Sequence, residues 1–315
     1  MDLKSIDYEG LFSALRGEII YDAPIGAQSW FRAGGSADTL FKPADIEDLA
    51  KFLRLYPVDQ PLTILGGLAN TIVRDGGIRG VTLQLGKAFA KVEQKSDVYI
   101  EAGCGALNGN VAASAVKAGI GGLEFLSGIP GSLGGALAMN AGAYGSEMKD
   151  VLVGVTALAR DGSIRRYTAP DLHMSYRHTN VPDGEVFISA IVKGVAEDYE
   201  TVKERMNVIK ARRNETQPIK EKTGGSTFAN PSEVELRTAG LPSGTKAWQI
   251  VEKVGGRGLK RGGAMISEKH CNFMINTGDA TANDLEGLGD DLINRAYKEF
   301  GIKLRWEIKR VGNKN

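Results

Sequence analysis

Two glycine-rich segments contain the residues whose types and spacing suggest binding chemistry. The first runs from Thr63 to Gly77, and the second, from Ser127 to Gly145, has no charged side chain at all. Backbone N–H groups that glycine leaves accessible can hold a pyrophosphate without help from a cationic side chain. A long uncharged backbone surface therefore favours a large, flat cofactor over a metal ion or a small anion.

The sequence lacks the motifs of other common nucleotide-binding and metal-binding sites. No GxGxxG follows the first apolar strand, and no GxxxxGK[ST] occurs, so Rossmann and P-loop sites are disfavoured. The three histidines, His173, His178 and His270, are too few and too scattered for a zinc cluster. We therefore expect no metal site.

Net charge and apolar stretches exclude further classes of function. The 39 Lys and Arg residues nearly cancel the 38 Asp and Glu residues, so no basic patch suggests nucleic acid. The least charged stretch, 121–145, is interrupted by Pro130 and by glycines, which argues against a membrane helix. The first ten residues have no apolar core, and only two cysteines occur, so we expect a cytoplasmic protein.

The elements that must position these segments form a mixed pattern of helices and strands. Short apolar runs at 62–65 and 81–85 predict strands on either side of the first glycine loop. Helical spacing of apolar residues predicts amphipathic helices at 199–214 and 281–300. At the end, 303–310 alternates apolar and polar residues and predicts one strand.

A set of ordered motifs closely resembles the UDP-N-acetylenolpyruvoylglucosamine reductase family. The resemblance covers roughly 25–312. Its motifs are WFRAGGSAD (30–38), SGIPGSLGGALAMNAGAYG (127–145), SYRHT (175–179), RNETQP (213–218), GGSTFANP (224–231), SEKHCNFMIN (267–276) and LRWEIKRVG (304–312). The chain is most similar to the shorter branch, which lacks an inserted tyrosine loop, because the next strand begins at Val186, nine positions after Arg177.

The resemblance implies an α+β fold. It comprises an FAD-binding module of the vanillyl-alcohol-oxidase (PCMH) type over 19–200, made of two α+β subdomains at about 19–80 and 81–200. A smaller α+β substrate domain over 201–315 follows, and its last strand returns to the active site. The resemblance further implies noncovalent FAD, NADPH as electron donor, a UDP-sugar substrate in peptidoglycan precursor synthesis, and a monomer.

The resemblance also assigns catalytic roles. Arg177 and Glu307 would stabilise the enolate that forms during reduction, and Ser226 would donate the proton. Read in isolation, Ser226 is more often a turn hydroxyl, and Glu307 an exposed strand residue between Arg305 and Lys309.

The resemblance assigns further residues to binding. The cofactor contacts would be Gly66, Gly67, Leu68, Ala69, Asn70, Ser127, Gly128, Ile129, Pro130, Gly131, Ser132, Gly134, Gly135, Asn140 and Gly142. The substrate contacts would be Tyr176, Arg213, Asn230 and Asn272. His270 is equally compatible with packing and with ligand contact.

The first glycine loop departs from the family. The usual G-x-G-S-N reads Gly66-Gly67-Leu68-Ala69-Asn70 here, which replaces a glycine suited to positive φ and a serine hydroxyl. We expect the loop to keep its amide contacts along a slightly altered path, with the Leu68 side chain turned into the core.

Two rival interpretations remain open. An alcohol or aldonolactone oxidase on the same flavin scaffold would leave the Ser226 and Glu307 motifs unexplained, and no histidine lies in a glycine-rich loop to attach a flavin. A catalytically silent paralogue would not need Arg177, Ser226 and Glu307 together.

Overall fold

The computed structural model describes residues 8–315, with side chains from Gly10 onward. The start of the chain, which carries the expectation that no secretion signal is present, lies largely outside that range. Internal contacts divide the chain into two compact units. The first contains the chain up to Ala23, Ala37–Gly67 and Arg79–Met206, and the second contains Pro24–Ser36, Leu68–Ile78 and Asn207–Asn315.

Two short segments thus group differently from the domain bounds expected from the sequence. Pro24–Ser36 and Leu68–Ile78 lie within the expected first domain but contact the second unit. The division into a flavin domain at 19–200 and a substrate domain at 201–315 stays a prediction.

The helices of residues 8–315 are mostly short. The α-helices are α1 (Tyr8–Ser13), α2 (Ile25–Gln28), α3 (Ile46–Leu55), α4 (Asn108–Lys117), α5 (Leu133–Ala138), α6 (Met148–Val151), α7 (Tyr199–Thr216), α8 (Glu233–Thr238), α9 (Ala247–Lys253) and α10 (Ala282–Phe300). Two 3₁₀ turns occupy Lys87–Phe89 and Glu124–Gly128. Within the same range, no helix combines the length and apolar character that crossing a membrane requires.

The strands are also short. They are β1 (Glu18–Ala23), β2 (Ala37–Lys42), β3 (Leu62–Leu65), β4 (Thr71–Val73), β5 (Ile78–Gln84), β6 (Val92–Gln94), β7 (Tyr99–Gly103), β8 (Ile120–Gly121), β9 (Gly142–Ala143), β10 (Ser146–Glu147), β11 (Leu152–Leu158), β12 (Ile164–Tyr167), β13 (Val186–Lys193), β14 (Val195–Ala196), β15 (Lys222–Thr223), β16 (Lys260–Arg261), β17 (Ala264–Ile266), β18 (Met274–Asn276) and β19 (Lys309–Val311).

The first unit has two main sheets and two apolar cores. A four-stranded sheet in the order β1-β2-β5-β3 packs against α3, through a core that includes Phe41, Phe52 and Leu83. A five-stranded antiparallel sheet in the order β12-β11-β13-β7-β6 packs with α4 and α5 around Ile100 and Leu133. The second core underlies the uncharged glycine-rich segment.

The second unit has a small antiparallel sheet and a separate parallel pair. The sheet order is β15-β18-β17-β16, and β19 runs parallel to β4 with Lys309 opposite Thr71. Helix α10 supplies Leu285, Leu288 and Leu292 to the core of this unit. These leucines are spaced for one helical face, as the sequence predicts for 281–300.

Local signals explain the bounds of α10. Thr281 caps the helix, and its hydroxyl accepts a hydrogen bond from the Asp284 N–H while the Asp284 carboxylate accepts one from the Thr281 N–H. Such a capping box satisfies two otherwise unpaired N–H groups. Gly301 ends the helix at φ +69°, a left-handed conformation that glycine adopts without steric cost.

The expected single strand at 303–310 is wrong. A bridge pairs Trp306 with Phe228, and a strand forms only at Lys309–Val311. The expected alternation is nevertheless present, because Leu304 and Ile308 are buried while Arg305 is exposed. The alternation of buried and exposed side chains follows from the sequence pattern alone. A continuous strand would also need a partner strand hydrogen-bonded along the whole of 303–310.

Candidate functional site

In the first unit, the two glycine-rich segments approach backbone to backbone. A Cβ atom on Gly67 would lie 3.0 Å from the Cα of Gly131, and one on Gly66 would lie 2.8 Å from the Oγ of Ser132. The Gln84 side-chain amide donates to the Gly66 carbonyl at 2.9 Å and orients the start of the loop. Glycine is required here because larger residues would push the segments apart.

Four amide groups at this approach are available to a ligand. Among the described residues, the backbone N–H groups of Gly66, Gly67, Gly131 and Ser132 donate no hydrogen bond within the chain. The side-chain oxygen of Asn108, which is fully buried, also lacks a donor there, while its amide nitrogen donates to the Ser132 carbonyl at 3.4 Å. Gly66, Gly67 and Gly131 are half-buried, and Ser132 is buried. Amides without partners suit an anionic diphosphate, so the donor set fits FAD.

The rest of the uncharged segment forms a 3₁₀ turn, the helix α5 and the start of a strand. Ser127 and Gly128 end a 3₁₀ turn, in which the Ser127 hydroxyl donates to the Glu124 carbonyl at 2.7 Å. Ile129 and Pro130 lead from this turn to Gly131. Ser132 caps α5, which contains Gly134 and Gly135. Asn140 follows α5, and Gly142 begins β9. The expected cofactor contacts of this segment therefore lie along one short stretch of backbone.

Tyr176 and Arg177 form the two central residues of a tight turn. The N–H of Ser175 donates to the carbonyl of His178 at 2.9 Å, and the His178 N–H donates back at 3.0 Å. Arg177 has φ +56°, which turns of this kind usually assign to glycine or asparagine. Its guanidinium lies 5.0 Å from the centre of the Tyr176 ring and donates to the Gly142 carbonyl at 3.3 Å.

In the second unit, Leu68, Ala69 and Asn70 complete the first glycine loop. Leu68 is 4% exposed, so its side chain is turned into the core as expected. Its φ is +52°, so Leu68 adopts the left-handed conformation that leucine resists and that the family's glycine adopts without steric cost. The Leu68 carbonyl accepts from Trp30 N–H at 3.2 Å, and the Asn70 carbonyl accepts from Lys309 N–H at 3.0 Å.

Ser226 and Glu307, which are 81 positions apart, lie on adjacent segments of the second unit. The Glu307 N–H donates to the Thr227 carbonyl at 2.8 Å. Within residues 10–315, the half-buried Ser226 hydroxyl makes no hydrogen bond. The neighbouring Thr227 hydroxyl is buried and has no partner in the same range either. The Ser226 hydroxyl is thus half-buried, whereas the Thr227 hydroxyl is buried.

The expected substrate contacts on this unit differ in their availability. Arg213 donates to the Gln217 side chain at 3.2 Å. Asn230 accepts from the Ala247 N–H at 3.0 Å at the start of α9. Asn272 is 5% exposed, and its amide exchanges hydrogen bonds of 2.8 and 3.0 Å with the backbone of Phe228. Packing alone explains Asn272.

His270 is packed between aromatic rings. Its ring lies 4.8 Å from that of Phe273 in an edge-to-face arrangement, and its Nδ1 accepts from the Asn272 N–H at 3.1 Å. Burial lowers the pKa of His270 below its usual value. Of the two interpretations that the sequence left open, the packed histidine explains every contact His270 makes here.

A cavity of about 650 Å³ opens on the second unit beside the end of α7. Gln217, Lys220 and Lys269 are among the polar residues that line it. The Lys269 ammonium donates to the Asn214 carbonyl at 2.6 Å, which ties 267–269 to the end of α7. Glu221 and Glu268 line the cavity as well, so it carries charged groups of both signs. Its size suits a ligand as large as a nucleotide. Sequence reasoning did not identify this cavity, because Lys220 and Lys269 are 49 positions apart.

Profiles of two protein domains match the chain. One, described as an FAD binding domain, matches residues 37–168. The other, described as the C-terminal domain of UDP-N-acetylenolpyruvoylglucosamine reductase, matches residues 217–311. With the α+β architecture, they define the class: an FAD-containing oxidoreductase on the PCMH-type flavin fold.

Full-length relatives and a solved structure narrow the class. Proteins named UDP-N-acetylenolpyruvoylglucosamine reductase from Parvibaculum lavamentivorans and Maricaulis maris are 48% and 50% identical to this chain. Each alignment covers 95% of this chain, and 92% and 93% of the relatives. The crystal structure of the reductase from Thermus caldophilus is 29% identical with a TM-score of 0.78, over 95% of this chain and all of that one. The chain belongs to the UDP-N-acetylenolpyruvoylglucosamine reductase family.

Proposed function

We propose that this chain reduces the enolpyruvyl ether of UDP-N-acetylglucosamine to UDP-N-acetylmuramate, with Arg177, Ser226 and Glu307 as its catalytic residues. The reaction belongs to peptidoglycan precursor synthesis. The observation that carries the residue assignment is the adjacency of Ser226 and Glu307 on separate segments, with the Ser226 hydroxyl left unpaired among the described residues. When bound, FAD reduced by NADPH supplies the hydride for the vinyl carbon.

Arg177 answers the first requirement of this chemistry, which is stabilisation of negative charge. Addition of a hydride to the vinyl carbon places charge on the neighbouring carbon and on the pyruvyl carboxylate. A guanidinium remains charged at every working pH and has planar donors that match a carboxylate. A fixed cation is worth most where charge develops in the transition state. The turn at Tyr176–Arg177 keeps the Arg177 backbone in one conformation.

Ser226 answers the second requirement, which is a proton for the carbon that carries the charge. A serine hydroxyl is a weak acid, so its proton transfer needs a neighbour that stabilises the oxygen left behind. Ser226 lies between Gly225, whose N–H donates to Asn70 Oδ1 at 3.1 Å, and Thr227, which accepts from Glu307. Both flanking residues are held, and this limits the motion of the hydroxyl. We assign Glu307 to the same enolate.

Cofactor attachment is proposed to be noncovalent. The histidines, the usual attachment residues on this scaffold, lie outside both glycine-rich segments. Acid precipitation of the purified yellow protein should therefore release all flavin into the supernatant. Flavin that stays in the pellet would disprove this mode of attachment.

The UDP-sugar is proposed to contact Tyr176, Arg213 and Asn230. The cavity on the second unit, lined by lysines and glutamates, is a further candidate for part of it. Asn272 is retained as a candidate contact only through its backbone, since its amide is used by Phe228. We also propose that the protein is monomeric and works in the cytoplasm, where its nucleotide substrate is made.

Anaerobic mixing tests the proposed activity. NADPH should bleach the flavin absorbance, and only the enolpyruvyl UDP-sugar should then restore it without oxygen. Restoration by oxygen with no response to the UDP-sugar would favour an oxidase instead. No flavin response to either NADPH or the sugar would favour a silent paralogue.

A further inference from the structure

We infer that Asn140 is a positioning residue for Arg177, holding the turn that carries this arginine in its catalytic shape. The inference rests on the catalytic role proposed for Arg177 and deepens it. The family resemblance assigns Asn140 to the cofactor, whereas its contacts in the first unit lead to the turn.

The turn needs external support because of its backbone geometry. Ser175 and His178 exchange two backbone hydrogen bonds around Tyr176 and Arg177. At φ +56°, the Cβ of Arg177 crowds its own carbonyl oxygen, which side chains other than asparagine and glycine resist. Residues in such conformations persist when surrounding contacts hold them, and they cluster at functional sites.

Asn140 supplies that support directly. Its side-chain nitrogen donates to the Ser175 carbonyl at 2.8 Å and to the Glu147 carboxylate at 2.9 Å. Its side-chain oxygen accepts from the Lys149 N–H at 2.9 Å. Asn140 is fully buried, and both hydrogens of its amide nitrogen are used. The side chain therefore has no donor left for a cofactor.

A second contact holds the other end of the turn. The Thr179 hydroxyl donates to the Leu137 carbonyl at 2.6 Å, in a buried position. Leu137 lies in the last turn of α5, and the Asn140 N–H also donates to its carbonyl, at 3.1 Å. Both ends of the turn are thus fixed to one platform, the end of α5. Sequence reasoning missed Thr179, although it stands in the SYRHT motif.

The platform also fixes where the guanidinium lies. Arg177 donates to the carbonyl of Gly142, two residues after Asn140. If the Ser175 carbonyl were released, Arg177 could relax to negative φ and its side chain would leave this position. Displacements of about 1 Å at a reacting group can slow catalysis by ~10²-fold.

Asn140→Asp is the variant of choice. Aspartate has the same shape, tolerates the φ of +40° found at position 140, and keeps an acceptor for Lys149. It loses both donors, so the Ser175 carbonyl keeps only the hydrogen bond from the His178 N–H within the turn. Hydrogen exchange of the FAD-loaded protein should become at least ~10-fold faster in the amides of 175–178 than in wild type.

Kinetics then test the consequence for Arg177. The reoxidation of reduced flavin by the UDP-sugar should slow ~10–10²-fold, while FAD retention and flavin reduction by NADPH stay within about twofold. In the Arg177→Ala background, adding Asn140→Asp should change the reoxidation rate by less than about twofold, since the two residues act as one unit. The inference would be overturned if the slowing by Asn140→Asp multiplied with that by Arg177→Ala. It would also be overturned if hydrogen exchange in the turn stayed unchanged in Asn140→Asp.

Two further variants keep the test decisive. Thr179→Val releases the other end of the turn and should reproduce both effects if Asn140→Asp fails to fold. Lys149→Met removes the salt bridge of Lys149 with Glu147, at 2.9 Å, but keeps the Lys149 N–H bound to Asn140 and both Asn140 donors, so exchange and kinetics should stay unchanged. If Arg177→Ala alone left reoxidation unchanged, the proposed function would fail, and hydrogen exchange alone would then decide whether Asn140 holds the turn.

Discussion

The backbone N–H of Glu307 donates a hydrogen bond of 2.8 Å to the carbonyl oxygen of Thr227. Ser226 immediately precedes Thr227 and follows Gly225, whose N–H is bound by the side chain of Asn70. The Asn70 amide nitrogen also approaches the Glu307 carbonyl at 3.4 Å. A loop assigned to the cofactor thus ties together the segments that carry the proposed acid and carboxylate.

Ser226→Ala should separate the two half-reactions. Because the hydroxyl makes no hydrogen bond within the described chain, the variant should fold with an unchanged melting temperature. Stopped-flow absorbance should show normal flavin reduction by NADPH and a loss of at least ~10² in reoxidation by the UDP-sugar. Glu307→Gln should also slow reoxidation more than reduction.

Thr227→Val is the matched control for Ser226→Ala. It removes the neighbouring hydroxyl, which is buried without a partner in the described chain, and should leave both rates unchanged. Equal slowing of both half-reactions in Ser226→Ala would mean that the serine serves structure.

Leu68→Gly should destabilise the protein, although it restores the family's glycine. Glycine would relieve about 1–2 kcal/mol of left-handed strain at φ +52°. Removing a leucine side chain that is 4% exposed costs roughly 2–5 kcal/mol. We expect a net loss of about 1–3 kcal/mol in the free energy of unfolding, measured by urea denaturation.

Asp22→Gly is the control for the strain term. Asp22 has φ +47°, and its side chain is exposed, so the substitution relieves a similar dihedral without loss of burial. It should leave stability unchanged or raise it slightly. If Leu68→Gly also raised stability, strain would outweigh burial at Leu68.

Glu286→Gln should weaken the second unit through charge. The Glu286 carboxylate, 4% exposed, lies 2.8 Å from Arg74 and 3.6 Å from Lys314. Removing one member of a fully buried pair costs ~3–5 kcal/mol. Since Arg74 and Lys314 are partly exposed, we expect a loss of ~2–3 kcal/mol in urea denaturation.

The same helix provides the comparison for Glu286. Asp291 pairs with Arg261 at 3.0 Å, and both side chains are more than 40% exposed. Asp291→Asn should cost less than about 1 kcal/mol, because water screens exposed pairs. Equal losses in the two variants would contradict the importance of burial.

His270 should make stability depend on pH in the acid range. Burial lowers the pKa of His270, so the unfolded chain, with a pKa of about 6.5, binds the proton more readily. Stability should therefore be intact above about pH 6.5 and should fall as the pH drops through and below that value. Urea titrations at successive pH values should show a shallower fall in His270→Gln.

Ordered motifs and side-chain periodicity carry most of what the sequence alone determined. The family and its fold class are confirmed, and so is the helix at 281–300, whose caps and leucine spacing are local features. Such features depend only on residues close together along the chain. They can therefore be recognised from the sequence without knowing which distant segment packs against them. The roles of Arg177, Ser226 and Glu307 stay predictions.

Tertiary structure alone decided how distant segments share hydrogen bonds. The short strand at the end of the chain depends on β4, which lies more than 230 positions earlier. The amide of Asn140 is used by Ser175, although the motif assigned it to a cofactor. A sequence shows which groups can donate and accept hydrogen bonds. Packing decides which groups become partners, because a buried polar group forms hydrogen bonds with whatever donors and acceptors the fold places beside it.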